Sequence, residues 1–414
     1  MQESKKNLSL KIGFIIIVLV LGFNWFFTFQ ILSLKDDNSF YYMPVRMYLS
    51  DALHNHTLPY WNAFIAGGLP QLSDLQGAVW NPIAFVLCYF FKYNHSVFLF
   101  EYMLYMLIAA FGIYKLVSTI TQNSFSLLLS VVVYIGCGFT SGISNFINWT
   151  ASLAFLPWMF YFFYAVLQKP NPTKSILLGI TCWLLFVCGY PAFIFYAIYI
   201  LAVLFIWVAF KNHQQKKNLE TIISFKFSIA ALVIAFLLSL PALLASLEFL
   251  PYYSRGKNLE TELMYRDCFY PQFFASLLIP TSVYNKNYDV LCHSANRDIY
   301  FGIMPLLLSI LFISQYNKFK TGFIVLLSCI TIFTLIFLFG YLTPLGNIVY
   351  HYFPLFSLFK WSSLPRIFII IAGILTVAYM MEKEVFSNTT IKWAKRISLF
   401  LILALVIVFA FTLS

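Results

Sequence analysis

Residues 12–34, IGFIIIVLVLGFNWFFTFQILSL, carry no charged side chain. They run into residues 36–82, DDNSFYYMPVRMYLSDALHNHTLPYWNAFIAGGLPQLSDLQGAVWNP. The first stretch is long enough to cross a bilayer, which takes roughly 20 apolar residues. The second is the first long polar interval of the chain and holds four of its fifteen acidic residues. Beyond it, apolar runs and short loops alternate to the C-terminus. They fall at about 96–118, 124–141, 150–167, 175–190, 191–210, 225–250, 299–315, 321–340, 366–381 and 398–413. The pattern predicts an all-α polytopic membrane protein with about 11 transmembrane helices in one domain.

Composition agrees. Hydrophobic residues make up 61% of the chain and charged residues 10%, against about a quarter charged in soluble domains. The net charge of +11 is dispersed through short loops instead of clustering on one face, which excludes nucleic acid as the expected partner. With the N-terminus placed in the cytoplasm, 16 of the 26 basic residues fall in cytoplasmic segments beside only Glu3, Glu220, Glu382 and Glu384. That asymmetry is the positive-inside pattern of a cytoplasmic membrane protein. Residues 12–34 are longer than the 7–15-residue apolar core of a secretory signal, and no small-residue cleavage site follows. An uncleaved first helix is expected.

This topology puts residues 35–95, residues 251–298 and the segment from Tyr341 to Pro365 on one outer face. Tyr42 to Asn55 reads as an amphipathic helix. Residues 80–92, apolar but too short to span, read as an interfacial or re-entrant one. Ionisable residues are nearly absent from helix centres, which argues against a proton- or ion-coupled transporter.

Asp36 and Asp37 follow the first span directly. A carboxylate there can act as a general base or hold a divalent cation; two solvated acids closing a helix are the plainer alternative. Gly67-Gly68-x-Pro70 permits a tight turn that would aim Asp74 and Gln76 at a pocket. Arg46, Arg255, Lys360 and Arg366 are outer cations suited to a phosphate, or cations snorkelling to lipid headgroups. Trp61 could stack on a sugar ring, and Tyr41 lies in the same loop. The six histidines show no metal-ligand spacing. Cys268 and Cys292 share an outer loop, so a disulfide between them is open.

The first loop also resembles that of the YfhO-like bacterial membrane proteins, within the GT-C class of polyprenyl-phosphate-dependent glycosyltransferases. The motifs are Asp37-x6-Pro44-Val45-Arg46, Leu58-Pro59-Tyr60-Trp61-Asn62, Gly67-Gly68-Leu69-Pro70, Asp74-Leu75-Gln76 and Asn81-Pro82. Farther on, Leu250-Pro251 with Ser254-Arg255, Tyr300-Phe301-Gly302 and Gly340-Tyr341-Leu342-Thr343-Pro344 fit in order. Phe155-Leu156-Pro157-Trp158 fits only loosely. Gly189-Tyr190-Pro191 stands where the family often has Gly-His-Pro-Gln, and Phe359-Lys360…Pro365-Arg366 carries Lys for the family's first Arg. Many members are longer and have a further outer domain, so a minimal or truncated member is expected.

The resemblance implies a GT-C-like fold and transfer of a sugar from a polyprenyl-phosphate donor, with inversion, to an envelope glycan or glycolipid acceptor. It makes Asp37 the base, with Asp36 beside it. Arg255 or Arg366, aided by Lys360 and Arg46, would hold the donor phosphate. Asp74, Gln76, Trp61 and Tyr41 would line the sugar or acceptor pocket. A flippase for lipid-linked glycans, or an inactive scaffold of the same pathway, are the competing readings.

Overall fold

In the computed structural model the described residues are 2–65, 67–252, 268–279, 296–310, 321–353 and 362–383, with 392–393, 395–397 and 399–400. The fold is all-α; among the described residues the only sheet is a two-stranded ribbon, Trp61–Asn62 antiparallel to Leu69–Pro70. In chain order the helices are α1 (Gln2–Phe23), α2 (Trp25–Thr28), α3 (Met43–His54), α4 (Pro82–Phe90), α5 (His95–Val117) and α6 (Ser124–Gly136). They continue with α7 (Gly138–Ile143), α8 (Ile147–Gln168), α9 (Pro172–Val187), α10 (Ala192–Gln214) and α11 (Asn218–Phe249). Farther on lie α12 (Gly322–Leu338), α13 (Pro344–Tyr352) and α14 (Arg366–Glu382).

Among the described residues, five helical stretches are long and apolar enough to cross a membrane: α5, α6 with α7, α8, α10, and α11 extended to Tyr252. Three shorter apolar helices, Leu10–Phe23, α9 and α12, accompany them. The chain is a multi-pass helical membrane protein. The distribution of burial fits a bilayer. The apolar windows of α5, α6–α7 and α8 are 61–72% buried inside the protein, those of α10 and α11 only 22% and 17%. Phe225, Ile229, Leu232, Val233, Phe236 and Leu237 of α11 are exposed, an apolar face far larger than water tolerates.

Asparagine punctuates these helices. Asn81, Asn94, Asn123 and Asn171 each accept hydrogen bonds from backbone N–H groups of the first turn of α4, α5, α6 and α9, satisfying donors that a helix start leaves orphaned. Within the bundle α5 packs on α8, α8 on α9, and α9 on α11. The α9–α11 approach depends on small residues. A Cβ on Gly179 would lie 2.8 Å from the Ala231 carbonyl oxygen, and the Ser175 hydroxyl donates to the Phe227 carbonyl at 2.6 Å. Such small-residue seams let helix backbones meet in lipid.

Several apolar runs are divided differently from their sequence reading. The run 12–34 is not one helix, because α1 stops at Phe23. The next residue, Asn24, turns its side-chain amide back onto the Val20 carbonyl at 3.0 Å and accepts the Tyr102 hydroxyl at 3.4 Å. The run 124–141 is broken at Cys137, whose backbone is extended between α6 and α7. Residues 303–310 are helical and 299–302 are not, while residues 311–315 and most of the 398–413 run lie outside the described residues. The amphipathic helix is α3, with Val45, Leu49 and Ala52 buried at helical spacing. The short apolar helix is α4.

Candidate functional site

The polar face of the bundle is built where the first loop meets the start of α8. A π-helical turn, Asn38–Tyr42, leads from Asp37 into α3. Asn38 is fully buried and acts as a staple over more than a hundred residues. Its Nδ2 donates to the Ser144 carbonyl at 2.6 Å, and its Oδ1 accepts from the Ile147 N–H at 2.9 Å. Asp37 is thereby carried to within one residue of the α8 N-terminus, with its side chain exposed.

The next residues close the other side. The Tyr41 hydroxyl donates to Asp74 Oδ2, and the Gln76 N–H donates to Asp74 Oδ1 at 3.0 Å. Gln76 Oε1 accepts from both the Tyr42 hydroxyl (2.9 Å) and Asn148 Nδ2 (3.2 Å). Burial raises the Tyr42 phenol well above its ordinary pKa; the Asp37 charge pushes the same way, Arg46 opposes it, and Asp74 and Tyr190 add to the rise. Asp37, Asp74 and Tyr190 are thus near enough for their charges to act on one phenol. Burial also raises the Asp74 carboxyl, against the bonds from Tyr41 and the Gln76 N–H. Trp149 stacks on Phe146 and lies 5.8 Å, centroid to centroid, from Tyr190.

One atom of this constellation has no partner. Asn148 is 3% exposed, and its Oδ1 accepts no hydrogen bond. A buried acceptor left unsatisfied costs about 1–3 kcal/mol, so a donor from a bound molecule or water would be retained there. Nothing in the sequence singles out Asn148: it is one amide beside an apolar run, and its signal lies only in standing where that run begins.

The candidate residues fare differently. Asp37, Asp74, Gln76 and Tyr41 come together. Asp36 is exposed next to them in a left-handed backbone conformation, φ +55°. Both oxygens of Asp74 and the oxygen of Gln76 are occupied by protein donors, so these two organise the site and leave the Gln76 amide nitrogen to donate. Trp61 is 56% exposed on the ribbon, with its ring against Gly68 and its carbonyl accepting the Tyr48 hydroxyl at 2.6 Å. Arg255, Lys360 and Cys292 lie outside the described residues, and with Cys292 the suggested disulfide to Cys268. Among the described residues no three His, Cys, Asp or Glu side chains converge as a metal site.

Two cations read as open to the outer surface are buried instead. Arg46 is 2% exposed and forms a two-pronged pair with Glu101 of α5: Nε to Oε2 at 2.8 Å and Nη2 to Oε1 at 2.9 Å. A guanidinium so enclosed and matched is a clamp between the first loop and the bundle, not a donor-phosphate ligand. Arg366, fully buried, starts α14. Its Nε donates to the Asp298 carbonyl at 3.0 Å and its Nη1 to the Ser363 carbonyl at 2.9 Å, and it lies 4.6 Å from the Phe139 ring. A cation opposes the dipole at a helix N-terminus; these carbonyls, the Asp298 carboxylate and the ring compensate. The scarcity of buried charge inferred from helix centres therefore does not extend to the helix ends.

Around Arg366 lie further unpartnered buried atoms: Asn296 Nδ2, Ser362 Oγ and Ser363 Oγ. Burial pushes the Asp298 carboxyl up to about 6, against the Tyr300 N–H, Arg366 and Ser276. An aspartate in the unfolded chain titrates near 3.9. Between these values the folded protein binds the proton that the unfolded chain has lost, so stability should fall as pH rises from about 4 to 6 and then level off. The loss amounts to about 3 kcal/mol at 1.36 kcal/mol per pH unit. Asp298→Asn should flatten that slope. Thermal unfolding of both proteins between pH 4 and 7 measures it, and parallel curves would dissociate the slope from Asp298.

Fold and site together define a multi-pass helical membrane protein with a cluster of polar and aromatic side chains where its first loop meets the start of α8. No protein-family model matches this chain, and no curated protein matches it either.

Proposed function

We propose that this protein is a membrane glycosyltransferase that moves a sugar from a polyprenyl-phosphate donor to an envelope glycan or glycolipid on the outer face of the bacterial cytoplasmic membrane. The first-loop motifs shared with the YfhO-like proteins support it, as does the positive-inside charge pattern. So does the grouping of an exposed carboxylate with hydroxyl-binding amides and aromatic rings. In this reading the chain has about eleven spans in a GT-C-like arrangement with the N-terminus in the cytoplasm.

The observation that carries the reading is the unpartnered Asn148 Oδ1, fixed by Gln76 and one residue from the backbone bond that anchors the Asp37–Asn38 turn. It is an acceptor for a sugar hydroxyl in the same cluster as the exposed Asp37. Asp37 takes the proton of the acceptor hydroxyl as its oxygen attacks the anomeric carbon. The bond from that carbon to the phosphate oxygen breaks, with inversion, and the lipid phosphate departs. General-base assistance and a cation at the leaving oxygen are what such a step requires. Arg255 and Lys360 are the cations assigned to that phosphate, since Arg366 and Arg46 are engaged elsewhere.

The direct test incubates purified protein with radiolabelled polyprenyl-phosphate sugars and envelope extract, and follows label into an acceptor. Label transferred to glycan supports the reading. Labelled donor crossing a liposome bilayer intact, without transfer, would replace it with flippase activity.

A further inference from the structure

At the end of the bundle remote from the first loop, α5, α8, α10, α12 and α14 enclose an open cavity of about 450 Å³. Its walls are apolar, with Phe160, Leu204, Leu327, Phe368 and Ala372 among them. The volume lies within the range of about 300–1,000 Å³ typical of small-molecule sites. A smaller apolar recess, sharing Ile200 and Phe368, continues it toward Pro365, so the apolar space extends along the helices.

The charges are confined to the end of this space farthest from the first loop. Lys211, on the last turn of α10, and Lys383, the residue that follows α14, line it with Glu382. The Thr121 hydroxyl donates to Glu382 Oε2 at 2.6 Å. Each ammonium instead rests over an aromatic ring: Lys211 Nζ is 5.7 Å from the Trp207 centroid, and Lys383 Nζ 5.9 Å from that of Tyr379. Both lysines are exposed. Trp207 and Tyr379 line the same cavity, so two cations stand on an aromatic collar at its mouth. An apolar slot between membrane helices, closed by cations at its end, has the polarity of a phospholipid reversed in charge.

We infer that this cavity binds one acyl chain of an anionic glycerophospholipid, whose phosphate lies between Lys211 and Lys383 in the leaflet opposite the first-loop site. Basic pockets between transmembrane helices hold anionic headgroups in this way, and each buried methylene of the chain adds to the affinity. The inference is independent of glycosyl transfer, since no residue of the first-loop site takes part.

Native mass spectrometry of the delipidated full chain, titrated with phosphatidylglycerol or with phosphatidylcholine of the same acyl chains, tests it. One phosphatidylglycerol should bind in preference to phosphatidylcholine. A lysine near an anionic headgroup contributes about a fivefold factor, so the K211Q/K383Q protein should bind phosphatidylglycerol about 25-fold more weakly and phosphatidylcholine unchanged. Ala372→Phe, which fills the slot, should weaken both lipids. Equal binding of the two lipids by the wild type would overturn the inference. So would undiminished phosphatidylglycerol binding by K211Q/K383Q, whose exposed substitutions leave the packing intact should Ala372→Phe fail to fold.

Discussion

Asp37→Asn should lower sugar transfer by about 10²–10⁴-fold, the usual contribution of a general base, while Asp36→Asn leaves most of it. The two acids are adjacent in sequence and both exposed, yet the fold treats them differently. Asp37 opens the turn whose next residue, Asn38, is stapled to Ser144 and Ile147, and its charge acts on the Tyr42 phenol. Asp36 occupies a left-handed conformation at φ +55°, which asparagine adopts readily, so Asp36→Asn is a mild control. Label transfer measured for the two variants, with helical content checked by circular dichroism, gives the comparison. Full transfer by a folded Asp37→Asn protein would remove Asp37 as the base.

The largest expected effect on stability comes from the clamp between the first loop and the bundle. Arg46→Met leaves Glu101 buried without its guanidinium and should destabilise the protein by about 3–5 kcal/mol. The pair is shielded on every side. Tyr93 donates its hydroxyl to Glu101 Oε2, the Tyr42 carbonyl accepts Arg46 Nη1 at 3.3 Å, and the Phe98 ring lies 5.8 Å from the guanidinium carbon. Glu101→Leu alone should cost a similar amount, because it strands the cation instead. The double variant should be more stable than either single one, since no charge then remains unmatched in the interior. Thermal unfolding of the four proteins in one detergent completes the cycle. A double variant less stable than both singles would show that the pair contributes more than the burial of its charges costs.

Much of the fold was legible because a bilayer imposes a simple rule. Backbone polar groups in hydrocarbon must be satisfied within a helix, so apolar runs of sufficient length announce helices, as those of α5, α8, α10 and α11 did. The buried stripe of α3 and the short α4 were readable from helical periodicity and from length. Where the reading failed, single side chains decided the outcome. Asn24 ends α1 early by bonding its own helix, and Cys137 divides α6 from α7; neither residue stands out in an apolar run.

The candidate site was legible in part. Asp37, Asp74, Gln76 and Tyr41 stood out because acids, amides and aromatics crowd one loop. Asn148, the carrier of the unpartnered acceptor, did not, and Arg46 looked like a surface cation because its partner is 55 positions away. By itself the sequence determined a helical membrane protein, the rough positions of its helices and the loop that holds its polar groups, since these follow from hydropathy and local periodicity. Tertiary structure alone decided which polar atoms meet: Arg46 with Glu101, Asn38 with the start of α8, Gln76 with Asn148, and the lysines with the mouth of an apolar cavity. Hydrogen bonds and ion pairs act over a few ångströms, and only the folded chain brings residues tens or hundreds of positions apart within that range.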